Sequence, residues 1–197
     1  MHQADAKARE PLHAAQREVQ RKLGGCMIHI QQYEIQLKAL VARQEIAGPP
    51  AHLNRILARN IATTSTRTLG QLIGDLTNGY LQSSRPDSHE AATTAVGDEP
   101  WFSLRFHMEM SSEAYEAICQ QLSGLVTLRN GLVHHFIERF NLMSEAGCTE
   151  AQGYLDDCYK TIDAHFVALK AWAATADEVR TEVAARITAP GFWKDDA

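Results

Sequence analysis

The sequence predicts an all-α fold: an up-and-down helical bundle with an irregular or short β insertion between the middle helices. Three observations carry this. Apolar residues recur at spacings of three and four along most of the chain. Only one short stretch alternates with a period of two. No repeat of solenoid length is present. At 197 residues the chain has the length of one domain. We read it as a single bundle over 1–190, with an insertion at 83–110 and a C-terminal tail at 191–197.

Over 13–46, Val19, Leu23, Met27, Ile30, Tyr33, Leu37, Leu40 and Val41 fall at helical spacing. Pro11 suits a position near the helix start, and Gly48-Pro49-Pro50 ends the segment. Gly24-Gly25 lowers helix propensity by about 1 kcal/mol per glycine and marks a kink or a close approach by another helix. A second helix is expected over 52–62. A third is expected over 67–81, with Leu69, Leu72, Ile73, Leu76 and Tyr80 on one face. Between them Thr63, Thr64, Ser65 and Thr66 offer N-caps.

The segment 83–100 is polar and rich in small residues and reads as a long mobile loop. In 101–110, Phe102, Leu104, Phe106, Met108 and Met110 alternate with Ser103, Arg105, His107 and Glu109, the period of a strand. A lone strand needs a partner hairpin or a second chain. We expect an extended segment lying across the helices, the first turn of a helix being the other reading, with any sheet confined to 83–110. Ser111 or Ser112 then caps a helix to about 140, with Glu113 in its first turn. Thr149 is expected to cap the last helix, whose stripe is Tyr154, Leu155, Cys158, Ile162, Phe166, Leu169 and Trp172. The long helices at 13–46, 111–140 and 149–187 are expected to pack antiparallel.

Charge and composition exclude several functions. Net charge is −5 and the pI about 6.0, which argues against a broad basic surface gripping nucleic acid without selectivity and leaves room for a small local basic site. The cysteines, Cys26, Cys119, Cys148 and Cys158, have neither C-x-x-C nor zinc-finger spacing. They read as reduced, buried thiols of a cytosolic protein. No apolar run approaches the ~18 residues of a membrane span, and the N-terminus lacks the apolar core of a signal peptide. A cytoplasmic protein with no membrane partner is expected. His2, His13, His29, His52, His89, His107 and His165 are scattered, with no spacing that favours a metal, so neither metal nor cofactor is expected.

The most informative stretch is Leu128-Arg129-Asn130-Gly131-Leu132-Val133-His134-His135-Phe136. On a helix at about 100° per residue, Leu125, Leu128, Leu132, Phe136 and Phe140 form an apolar arc. Arg129 falls near its middle. Asn130, His134 and Glu138 form a polar stripe beside it. A buried guanidinium must be paired, so one reading has Arg129 reaching Asp75 or Asp157 from the core. The bland reading of His134 and Glu138 is a solvated helix face, and that of Gly131 is close packing against a neighbouring helix.

Arg129 followed by Asn130 and, after four intervening residues, His134, on a late helix of a small bundle, resembles the R-x4-6-H motif of the HEPN family. A polar residue directly after the arginine also matches that family. Leu69-Gly70-Gln71-Leu72 adds a weaker likeness. The resemblance covers 13–82 and 111–187. It implies a helical bundle that dimerises through the motif helix and a metal-independent endoribonuclease of toxin–antitoxin or antiphage-defence type. In that activity the RNA's own 2′-OH attacks phosphorus. His134 would exchange the proton, Arg129 would stabilise the phosphorane, and Asn130 would orient His134 or donate to the phosphate. His135 and Glu138 are supporting candidates, Glu138 as a partner holding the His134 imidazole. An ideal α-helix points Arg129 and His134 about 140° apart, which favours a composite site in a homodimer. HEPN toxins paired with nucleotidyltransferases are similar to R-x4-H-x-Tyr, and Phe136 stands here in place of that tyrosine, so that route of neutralisation does not carry over. An antitoxin or regulatory protein remains an expected partner, with 83–110 as its candidate contact. A catalytically silent module binding RNA, a nucleotide or a protein, and a purely structural bundle, are the other readings.

Overall fold

The computed structural model describes residues 2–83 and 101–188, with side chains over 10–83 and 101–186. The expected loop up to residue 100 and the tail at 191–197 lie outside the described residues. The described chain is mostly helical.

Two helices dominate: α1 (His2–Ala42) and α6 (Glu145–Thr188). At 1.5 Å per residue each runs about 60 Å. α1 turns Val19, Leu23, Cys26, Ile30, Tyr33, Leu37 and Leu40 inward, and α6 turns Cys148, Ala151, Leu155, Cys158, Ile162, His165, Leu169, Trp172 and Ala176. Both sets alternate spacings of three and four, the heptad pattern of a coiled-coil seam. The seam is parallel. Gln152 donates to the Ala15 carbonyl at 3.2 Å, Lys22 pairs with Asp156, His29 Nε2 meets Asp163 at 3.1 Å, and Arg180 donates to the Arg43 carbonyl at 3.3 Å. Residue numbers rise together on the two helices, so the expected antiparallel packing fails for this pair. A parallel neighbour requires a long crossover, and 43–144 provides it.

Lys22 and His29 stand one heptad apart, as do Asp156 and Asp163. Charges flanking the seam therefore repeat with it and hold its register. Inside the seam, burial pushes the Cys26 thiol up to about 11, with Cys158 and Asp156 adding to the effect. Burial alone raises the Tyr33 hydroxyl and lowers the His165 imidazole.

α1 is unbroken through Gly24-Gly25, and no atom outside its own backbone lies within 4 Å of a Cβ built at either. Neither a kink nor a close approach explains these glycines. α1 also begins well before Pro11, which sits inside it. Strong helix formers at Ala4, Ala6, Lys7, Ala8, Arg9 and Glu10 outweigh the one missing donor.

After α1 the chain forms β1 (Glu45–Gly48) and returns along α1 as α2 (Leu53–Ser65). Asn60 donates to the Glu45 carbonyl and Lys38 to the Ser65 carbonyl, both at 3.0 Å. Gly48 has φ 155° and faces Ile56. The hydroxyls of Thr63, Thr64, Ser65 and Thr66 bond back to carbonyls three or four residues earlier. They finish α2 rather than cap the next helix. That cap is Thr68, in a reciprocal box with Gln71, and it starts α3 (Leu69–Asp75). α3 widens into a π turn at Leu76–Tyr80 and lies antiparallel to α4 (Ser112–Asn130). Tyr115 Oη donates to the Thr77 carbonyl at 3.0 Å, and Val126 faces Gly70. Ser111 caps α4.

The alternating segment is extended, as its pattern predicts: Phe102, Leu104, Phe106, Met108 and Met110 are less exposed than their neighbours. It breaks at Phe106-His107 into β3 (Phe102–Arg105) and β4 (Met108–Met110). β3 pairs antiparallel with β1, and β4 pairs parallel with β2 (Leu81–Ser83). The partner strands come from this chain, from segments whose sequence reads as helix ends. Sheet is thus not confined to 83–110. Four- and three-residue strands are too short to show a period of their own.

α6 begins at Glu145, four residues before Thr149. Ser144 Oγ accepts from the Gly147 N–H at 3.1 Å, whereas the Thr149 hydroxyl only bonds back to the Glu145 carbonyl. Gly147 lies against the Asn141 carbonyl, leaving no room for a Cβ. Gly24→Ala and Gly25→Ala should each add about 1 kcal/mol of stability, raising Tm by about 2–4 °C. Gly147→Ala should lower it. Calorimetry of the three variants checks both signs.

Candidate functional site

α4 does not continue as an α-helix through the motif. Gly131–His135 forms a π turn, followed by the short helix α5 (Phe136–Arg139). A π turn bonds i to i+5 and so takes in one extra residue. That residue delays the phase of everything after it by about 100°. Leu125 before the turn, Leu132 inside it, and Phe136 and Phe140 beyond it are all buried, while Arg129 is half-exposed. Arg129 precedes the turn and His134 lies inside it, so only part of that delay separates their directions from the about 140° of a uniform helix. Arg129 is half-exposed and His134 exposed.

Gly131 faces Tyr154 of α6, whose hydroxyl would lie 3.7 Å from a Cβ there, an ordinary contact. Tyr154 also carries the Arg139 guanidinium 4.1 Å above its ring and packs against Phe140. Burial raises its hydroxyl's pKa, with hydrogen bonding to Cys158 as the next cause. Tyr154 thus supports the back of the π turn. In the sequence it reads only as one more residue of the apolar stripe on α6, and Gly131 is the single hint that something approaches.

Arg129 Nη1 donates to Asn130 Oδ1 at 3.1 Å. It makes no ion pair with Asp75 or Asp157; these carboxylates pair with Arg67 at 3.5 Å and Lys160 at 3.0 Å. The reading of Arg129 as a core arginine paired with Asp75 or Asp157 therefore fails: the residue is half-exposed and bonds Asn130. Asn130, His134, His135 and Glu138 are exposed. Glu138 meets His135, with Nδ1 3.3 Å from Oε2, rather than His134. His135 and Glu138 are neighbours three residues apart on the helix, and the His134 ring stands beside that of His135, with centroids 6.3 Å apart.

The site is thus one cation, one amide and one free imidazole on an open flank. Around it stand apolar side chains that a solvated helix does not need: Ile137 is 79% exposed, Met143 78% and Val133 41%. Among the described residues no group of three or more His, Cys, Asp or Glu converges as a metal site would require, and none of their helices is long and apolar enough to cross a membrane. No family model, curated protein or solved structure matches this chain.

Because Arg129 bonds only the adjacent Asn130 among the described residues and His134 is exposed, Arg129→Ala and His134→Ala should each change stability by no more than about 0.5 kcal/mol. Urea denaturation measures this. A loss of several kcal/mol for Arg129→Ala would restore the structural reading of that residue.

Proposed function

We propose that this chain is a metal-independent endoribonuclease of the HEPN-like, toxin–antitoxin or antiphage-defence type. It acts in the cytoplasm as a homodimer with a composite Arg/His site. What supports the reading is that the helix segment with the π turn carries an arginine and a histidine five positions apart. Both are accessible, and neither is held by a carboxylate.

The chemistry asks for little else. The His134 imidazole takes the proton of a ribose 2′-OH as its oxygen attacks the adjacent phosphorus. The bond from phosphorus to the 5′-oxygen breaks, that oxygen leaves with a proton, and a 2′,3′-cyclic phosphate remains. Arg129 offers planar donors to the equatorial oxygens as charge gathers there. Asn130 bonds the guanidinium and keeps it forward. His135 and its partner Glu138 form the rim.

One copy presents these groups on an open face, where water competes for every charge. A second copy seated on Val133, Ile137 and Met143 would bury that apolar surface and enclose two Arg/His sets about a two-fold axis. The second imidazole, as imidazolium, then supplies the leaving oxygen's proton. An antitoxin covering the same face would block both assembly and substrate.

The purified protein should cleave single-stranded RNA in EDTA and leave 2′,3′-cyclic ends. Arg129→Ala and His134→Ala should each reduce the rate on the order of 10²-fold or more, and the double variant should be little worse than the poorer single one. Wild-type protein that never cuts RNA would leave the silent binding module as the reading. Ile137→Glu should yield a folded monomer by light scattering with cleavage lost. A monomer that still cleaves would sink the composite site.

A further inference from the structure

The chain is acidic, yet its charges are not evenly spread. Between Gln36 and Gly74 stand Lys38, Arg43, Arg55, Arg59 and Arg67 against a single carboxylate, Glu45. Glu45 is taken by Arg105 and Arg67 by Asp75. Lys38, Arg43, Arg55 and Arg59 make no ion pair among the described residues, and the three arginines are exposed. Arg55 and Arg59 lie one turn apart on the outer face of α2, a helix with no acidic residue. Lys38 and Arg43 stand at the rim of a groove of about 240 Å³ between α1 and α2, floored by Ile35, Ala39, Ala42 and Ile61.

We infer that this end of the molecule is a second RNA-contacting surface, separate from the Arg129/His134 site. Four cations without an ion pair, two of them on a helix with no carboxylate, favour the approach of a polyanion. Three of them are arginines, whose planar donors fit phosphate oxygens. Asn54, exposed on the same helix, is a further phosphate donor of the kind that positions a strand without reading its bases. The apolar groove beside Lys38 and Arg43 offers an unstacked base a surface out of water.

The surface is remote from the motif. The π turn faces Tyr154, and Arg43 is bonded to Arg180. These two positions are about 40 Å apart along α6. It therefore acts as an anchor for long strands, not as part of the cleavage site. The choice of RNA among polyanions rests on the nuclease reading; the charge distribution does not.

Binding is measured with a 2′-O-methyl RNA 20-mer, which keeps the phosphates and removes the nucleophile, so that affinity is read apart from cleavage. Wild-type full-length protein should bind it with a steep salt dependence. Arg55→Glu/Arg59→Glu should bind at least tenfold more weakly at about 100 mM salt, with the log–log slope reduced by about 1.4, two single-strand contacts at about 0.7 each. The same variant should cleave a short oligonucleotide at the wild-type rate and raise KM only for long RNA. Unchanged binding and slope in the double variant would overturn the proposal. So would wild-type protein that binds poly-glutamate and not RNA, since the partner would then be an acidic protein. If the 20-mer binds through these arginines but no RNA is ever cut, the surface stands and the nuclease reading falls.

Discussion

The parallel seam between α1 and α6 is the interaction on which the rest of the structure depends. Its layers run from Val19 to Leu40 on one helix and from Cys148 to Ala176 on the other, with Ile30, Tyr33, Leu37, Leu155, Ile162 and Leu169 almost wholly removed from water. Burying a side chain of this size is worth about 1.5–3 kcal/mol, so the seam is the largest single apolar contribution in the fold. Its polarity has a topological consequence. Two parallel neighbours cannot be joined by a short turn, so everything between them becomes one long crossover. α2, the four short strands, α3 and α4 all lie within that crossover and inherit their positions from it.

The crossover is tied down at both ends of the seam by polar contacts. At the far end Arg180 reaches the Arg43 carbonyl, pairs with Asp177 at 2.6 Å and lies 4.6 Å over the Phe106 ring. One side chain thus joins α6, the end of α1 and the bend between β3 and β4. At the near end Tyr154 lies under the π turn and Gln16 donates to the Leu142 carbonyl at 2.9 Å. The candidate site and the basic face of α2 therefore belong to opposite ends of one rigid pair of helices. A strand held at both would be oriented by the long axis of the molecule.

The π turn stands where one helix meets two demands. Leu125, Leu132, Phe136 and Phe140 face the core, and in a uniform helix Arg129 would share that face. Burying an unpaired guanidinium would cost several kcal/mol, and Arg129 instead stays half-exposed and bonds Asn130.

The sequence by itself determined which segments are helical, because a stripe at spacings of three and four has no other stable use over 15 residues or more. It also determined the extended nature of 102–110, where alternation is unbroken, and it placed the candidate residues Arg129, Asn130, His134, His135 and Glu138 within ten consecutive positions. Tertiary structure alone decided three things. Helix polarity is invisible to periodicity, since a heptad stripe packs equally well in either direction; the pairing of Lys22 with Asp156 and of His29 with Asp163 becomes visible only once the helices meet. The partners of β3 and β4 were hidden because strands of three or four residues show no period and take their shape from the segment that they pair with. The π turn at Gly131–His135 was hidden because a π turn has no residue signature of its own.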